Sequence, residues 1–269
     1  MLTDYAVHPS LATQDVGRAR DWYAERLGLE PFLTFPNLLA YQVGQTVFTI
    51  FETPAAHTAK NTVALWRVPD LRAEVGDLRS RGLMFEEQDF GGGERTIDGI
   101  MTSTEPDGGT VLNAWFRDGD GNWIGMVEQP DRPGEPPVQM GFGASLAASD
   151  LTRAQAWYAE KLSLEPLHVY DDELLVYRQG ATHLSIYATP SAGTAKNTVA
   201  VWRVDDLRAE MAAMQALGVF FGDYDMGDTG TVEGVYTDPD DGTLAAWFMD
   251  SEDNTLGLVE DHGEPVRPQ

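Results

Sequence analysis

The sequence predicts an α+β protein built from two tandem copies of one domain, each copy made of two β-α-β-β-β modules. Three observations carry this prediction. First, the chain repeats itself. RARDWYAERLGLEP (18–31) returns as RAQAWYAEKLSLEP (153–166), and AWFRDGDGNWIGMVE (114–128) returns as AWFMDSEDNTLGLVE (246–260). AKNTVALWRVPDLRAE (59–74) returns as AKNTVAVWRVDDLRAE (195–210) with only two of sixteen positions changed. Second, the offsets run 135, 136 and 132, so order and spacing persist with one small insertion and one shortened loop. Third, QPDRPGEPPVQM (129–140) carries four prolines and a glycine, which continue neither strand nor helix. The copies are therefore 1–129 and 140–269, joined by a Pro-rich linker at 130–139.

Each copy reads the same way from its start. SLATQ (10–14) alternates as a strand does. Asp15 stands at an N-cap position, the helix runs through Arg18, Trp22, Tyr23 and Leu27, and Gly28 suits its C-terminal end. PFLTF, LLAYQV and TVFTIFET follow, short runs rich in aromatic and β-branched residues. NTVALWRV is the next strand. Asp70 opens a second helix, LRAEVGDLRSRG, which ends at Gly82. LMFEEQDF, VLNAWFRD and NWIGMVE close the copy as strands, with 91–110 (227–242 in the second copy) as a loop at the rim.

Composition bounds the function. The chain has 269 residues, 42% of them apolar, enough for real cores. No apolar run approaches the roughly 18 residues of a membrane span. MLTDYAVHPS has neither a basic nor an apolar leader region, so no secretory signal is read there, and the lack of cysteine makes a reducing cytoplasm the expected setting. The absence of cysteine excludes disulfides, thiolate metal sites and thiol nucleophiles. A net charge of −25 repels nucleic acid and anionic membranes. Two readings of it stay open: it serves solubility, or the acidic surface draws in a cationic ligand.

The helix phrase with Leu11, Asp15, Arg18, Ala19, Trp22, Tyr23 and LGLEP (27–31), together with AWFRDGDGN, resembles the vicinal oxygen chelate superfamily, the glyoxalase, bleomycin-resistance and extradiol-dioxygenase group. The resemblance covers nearly all of both copies. It implies paired modules forming a curved mixed sheet, helices on the convex face and a ligand cleft on the concave one. In metal-using members it also implies up to four inward His, Glu or Gln ligands, from the first, fourth, fifth and last strands.

Carried over position by position, those places hold His8, Ile50–Glu52, Val63 and Gly125 in the first copy. In the second they hold Gly143, Ile186 or Tyr187, Val199 and Gly257. A divalent ion needs three or four protein donors, so no metal and no other cofactor is expected. Glu128 and Glu260 lie three residues beyond the last position, which puts them on the opposite face of the strand.

Other chemistry leaves weak traces. His8, His57, His168, His183 and His262 sit in no nucleophile motif. GGGER (91–95) and GDTGT (227–231) lack the Lys-Ser/Thr of a phosphate loop and precede no helix. DGDGN (118–122) is too short for an EF-hand and reads as a tight turn. Alternation puts Val63, Leu65 and Arg67 on the cleft face, with Trp66 and Trp202 packed as core. Asn113 shares a face with Trp115, Ala245 with Trp247, and Trp123 with Gly125; glycine at the last ligand position leaves room for an apolar molecule.

The candidate ligand-binding set is Tyr41, Arg67, Asn113, Trp115, Trp123, Tyr177, Arg203 and Trp247. Acid–base candidates are His8, Glu52, His183 and Asp225. Three functions stay open: a metal-free binder of an aromatic compound, cationic or neutral, or of a metabolite; a metal-independent isomerase, cyclase or hydrolase; and a metal-dependent glyoxalase or dioxygenase. Expected partners are a small molecule and neither nucleic acid nor membrane. The repeat makes a pseudo-dimer within one chain, with a homodimer left open. Histidines that exist in only one copy predict two unequal clefts.

Overall fold

A computed structural model describes residues 2, 5–91, 94–104, 109–129, 141–180, 182–225, 230–239 and 241–260. The predicted linker, His262 and parts of both rim loops lie outside them. The first copy runs β1 (Val7–Thr13), α1 (Val16–Trp22) continued by a π-helical turn (Tyr23–Leu27), β2 (Leu33–Phe35), β3 (Leu38–Val43), β4 (Thr46–Glu52), β5 (Thr62–Arg67), α2 (Leu71–Ser80), β6 (Asp89–Gly91), β7 (Glu94–Arg95), β8 (Ile100–Thr104), β9 (Thr110–Arg117) and β10 (Trp123–Glu128). The second runs β11 (Gly141–Ala148), α3 (Leu151–Leu162), β12 (His168–Tyr170), β13 (Leu174–Gln179), β14 (Thr182–Ala188), β15 (Thr198–Arg203), α4 (Leu207–Ala216), β16 (Tyr236–Thr237), β17 (Leu244–Met249) and β18 (Thr255–Glu260).

All four helices start on an aspartate. Asp15, Asp70, Asp150 and Asp206 each accept a bond from the backbone N–H three residues on, filling one of the donors a helix start leaves open. Glu52, Glu128 and Glu260 add carboxylates at the N–H groups of Val16, Leu71 and Leu207, so these acids serve helix starts.

The modules form two eight-stranded sheets, ordered β16-β17-β18-β15-β1-β4-β3-β2 and β12-β13-β14-β11-β5-β10-β9-β8. Each sheet takes one module from each copy. β1 pairs antiparallel with β15, His8 opposite Val201, and β11 pairs with β5, Gly143 opposite Leu65. Residues 1–129 and 140–269 are thus units of repetition, while the concave faces are built across them.

Within a copy, the modules are tied by the turn after the ninth strand. Buried Asp118 accepts from Tyr23 Oη at 2.9 Å, from the backbone of Asp120 and Asn122 at 2.9 Å each, and from Asn122 Nδ2 at 2.8 Å. Asn122 also donates to Ala12 O at 2.8 Å. Asp250, Tyr158, Glu252 and Asn254 repeat the arrangement. The DGDGN turn is therefore a clasp between α1, β1 and the last strand.

Three expectations are corrected. LMFEEQDF is not a strand of the large sheet: Phe85 makes one isolated bridge to Phe116, only Asp89 and Phe90 enter a strand, the short β6 that pairs with β7, and the edge of the sheet is β8, inside the stretch read as rim loop. Tyr41 and Tyr177 are fully buried on the helix-facing side, where Tyr41 stacks on Phe48 at 5.0 Å and Tyr177 meets Tyr158 at 5.6 Å. Val63 is the extra residue of a bulge: Trp123 pairs with Thr62 and Ile124 with Ala64, so Thr62 takes its place on the concave face.

Candidate functional site: two unequal concave faces

Strand alternation separates the faces. Leu11, Phe48, Ile50, Trp202, Phe248 and Leu258 join the core beneath the helices. Their neighbours His8, Ser10, Thr49, Val201, Arg203, Trp247 and Gly257 form the concave face of the first sheet. By the same rule Gly143, Ser145, His183, Ser185, Leu65, Arg67, Asn113, Trp115, Trp123 and Gly125 form that of the second.

Of the sequence candidates, the first face thus gathers His8, Arg203 and Trp247, and the second gathers His183, Arg67, Asn113, Trp115 and Trp123. Glu52 shares the side of Ile50 and bonds the start of α1. Asp225 lies exposed just before the rim loop, bridged to Gly230.

On the first face, His8 Nδ1 lies 3.1 Å from Val47 O. A carbonyl only accepts, so Nδ1 carries the proton and Nε2 is left as an acceptor. Burial, with the nearby Arg203 charge, lowers the His8 pKa to about 4, so the ring is neutral at pH 7. Beside it, Thr49 Oγ1 donates to Ser10 Oγ at 3.2 Å. At the other end, half-exposed Trp247 meets Tyr224 edge-on at 6.1 Å and 84°, and Tyr236 at 6.3 Å and 52°. Three rings thus make an open aromatic corner. Sequence reasoning missed both tyrosines, because Tyr236 is in a two-residue strand within the stretch read as rim loop and Tyr224 lies in the irregular segment just before it. The pairing of Tyr236 with Ala245 is the signal that places it.

The second face is more polar. His183 stands where the first has Val47, Asn113 where it has Ala245, and Met101 and Gln88 where it has Tyr236 and Tyr224. Tyr187 replaces Phe51, and its hydroxyl accepts from Thr62 N at 2.6 Å. The glycines differ as well. A Cβ on Gly125 would meet Leu65 Cδ1 at 2.9 Å and Trp115 Nε1 at 3.3 Å, whereas one on Gly257 would meet nothing closer than 3.4 Å. The room expected beside glycine is thus filled in the second sheet and kept in the first.

The residues at the fold's metal positions do not fit a metal. Cross-copy pairing brings His8 together with Thr49, Val201 and Gly257, and Gly143 with Ser185, Leu65 and Gly125. Among the described residues no group of three or more His, Asp or Glu side chains is placed to hold an ion.

No family model matches the sequence, and no curated protein matches it. Solved structures do. A putative dioxygenase from Bacillus subtilis subsp. subtilis str. 168 is similar at 17% identity and TM-score 0.60, over 97% of this chain and 86% of that one. Glyoxalase I from Zea mays is similar at 14% identity and TM-score 0.62, over 95% and 93%. At such identities the likeness is one of fold, and at that level the resemblance read from the sequence holds. No helix of the described residues is long and apolar enough to cross a membrane.

Proposed function

We propose that this chain, which has the vicinal oxygen chelate fold in its tandem four-module form, is a metal-free small-molecule binder that takes a planar aromatic compound on the concave face of its first sheet. The observation that carries the reading is the corner of Trp247, Tyr224 and Tyr236. Partly exposed rings set edge to face offer stacking surface and negative π-faces. A cation over such rings is attracted by their quadrupoles, and a net charge of −25 adds to that attraction. Gly257 beside Trp247 leaves the ring accessible.

The metal-independent enzyme reading has less support. With a pKa of about 4, His8 is a weak base at pH 7, far from the matched pKa that general base catalysis uses. The donor set at the metal positions gives the metalloenzyme reading no foothold.

The test is thermal unfolding with N-methylquinolinium, a planar aromatic cation, and tetramethylammonium as the cation without a ring. Saturating N-methylquinolinium should raise Tm by about 5–10 °C at a hundred times its Kd. Trp247→Ala should abolish that rise, and tetramethylammonium should give a smaller one. An equal rise in the Trp247→Ala protein, or none in the parent, would defeat the proposal.

A further inference from the structure

A pocket of about 440 Å³ opens at the end of the second sheet, lined by His57, Ala59, Lys60, Arg117, Gly121 and Trp123. We infer that it is a binding site for a small molecule that joins an anionic group, carboxylate or phosphate, to a flat ring. The inference stands apart from the function proposed above: it concerns the other sheet, and only Arg117 and Trp123 of its lining also belong to a concave face.

In a chain with 18 Lys and Arg against 43 Asp and Glu, this pocket gathers a lysine, an arginine and a histidine. The Arg117 guanidinium lies over the Trp123 ring at 4.2 Å, a flat cationic surface backed by an indole. Two acids face the group. Glu86 bonds Arg117 Nε at 3.0 Å and leaves the terminal nitrogens without a partner among the described residues. Asp120, 3.8 Å from His57 Nε2, is buried and engaged by Arg18, Thr13 and the backbone of Gln14. Lys60 Nζ has no partner among the described residues, and its backbone N–H holds Thr194. An anion with acceptor oxygens matches these donors.

The other copy is an internal control. The equivalent place holds Gly193, Ala195, Lys196, Met249, Asp253 and Thr255. The arginine, the tryptophan and the histidine are all gone, and Lys196 Nζ is folded back onto Gly193 O at 2.8 Å. The backbone is the same in both. His57 has φ 68 where Gly193 has φ 69, and Gly121 has φ 75 where Asp253 has φ 61. In each copy one of the two positions is glycine, so the pair exchanges which loop carries the side chain. A Cβ on Gly121 would come within 3.4 Å of His57 Nδ1. The first copy thus places an imidazole at a left-handed position and clears the opposite loop for it, the kind of local cost that clusters at ligand sites.

Isothermal titration of the full chain with phenyl phosphate tests the inference, with inorganic phosphate as the charge without a ring and phenol as the ring without charge. One phenyl phosphate should bind per chain. Inorganic phosphate should bind roughly tenfold more weakly, and phenol should give no saturable heat. Arg117→Met and Trp123→Thr, which install the second copy's residues at half-exposed positions, should each weaken binding roughly tenfold with Tm unchanged. Lys196→Ala should leave it intact. Absence of saturable phenyl phosphate binding at low millimolar concentration overturns the site. Equal binding of phenol overturns its anion preference, equal binding of inorganic phosphate overturns the role of the ring, and full binding by the Arg117→Met and Trp123→Thr proteins overturns its location.

Discussion

The two concave faces share one frame and differ in what they present. On the first, Trp247 stands among two tyrosines beside an uncrowded glycine, with neutral His8 at the far end. On the second, Trp115 presses on Gly125, Asn113 and His183 replace apolar residues, and Arg117 carries charge to the edge. The residues that hold the frame scarcely differ: Asp118 and Asp250 accept the same four bonds at the same distances, and the four helix caps are all Asp. Duplication has kept the clasp and released the face. Cross-copy pairing adds a consequence, for each face draws on both copies. His8 and Trp247 share one face although 239 positions separate them in the chain.

The largest effect expected from breaking this comparison lies in the shared frame. Asp118→Ala leaves Tyr23 Oη, one of the two Asn122 Nδ2 hydrogens and two backbone N–H groups unpaired in a buried place, while Asn122 keeps its bond to Ala12 O. It should cost about 3–5 kcal/mol, and Asp250→Ala should cost the same within about 1 kcal/mol. Urea unfolding of the two variants measures both. A clear inequality would mean that the clasps are not equivalent. A smaller effect should separate the faces. Gly125→Ala forces its methyl against Leu65 and Trp115 and should destabilise by about 1–3 kcal/mol, while Gly257→Ala, in ordinary contact, should change stability by less than about 0.5 kcal/mol. Equal losses would show that the two glycines are crowded alike.

Much of this frame was legible in the sequence because repetition and capping are local signals. The repeat itself, the aspartate caps, the turn at DGDGN and the core placement of Trp66 and Trp202 all follow from patterns within a few residues. Pairing between copies is not local: strands of modules one and four carry the same alternation whichever neighbour they meet. Tyr41 illustrates the limit of residue type as a guide. Its ring suggested a ligand surface, but its parity with Leu39 and Val43 places it beneath α1. The bulge at Val63 is a further case, since one extra residue exchanges the face of Thr62 without changing the composition of the strand. Tyr224 and Tyr236 were hidden for another reason: their runs are too short to show a period.

The smallest of the expected effects concerns His8, where the first face has a histidine and the second has Gly143. Its folded pKa of about 4 lies below the ordinary 6.5. Between these values the unfolded chain binds the proton and the folded chain does not, so stability rises with pH across that window and is lost as pH falls through it. Asp118 works against this. Burial raises its pKa from 3.8 to about 6, so in that window the folded chain holds the proton more tightly and its contribution falls as pH rises. The two slopes overlap in the parent, and a single pH–stability curve cannot separate them. His8→Gln can, because the amide keeps a donor for Val47 O and does not titrate, while Asp118 is common to both proteins. Relative to the parent, the variant should gain on the order of 1 kcal/mol on moving from pH 6.5 to pH 5. Parallel curves over that range would mean that His8 titrates alike in the folded and unfolded chain, and the first face would then carry an ordinary, protonatable imidazole.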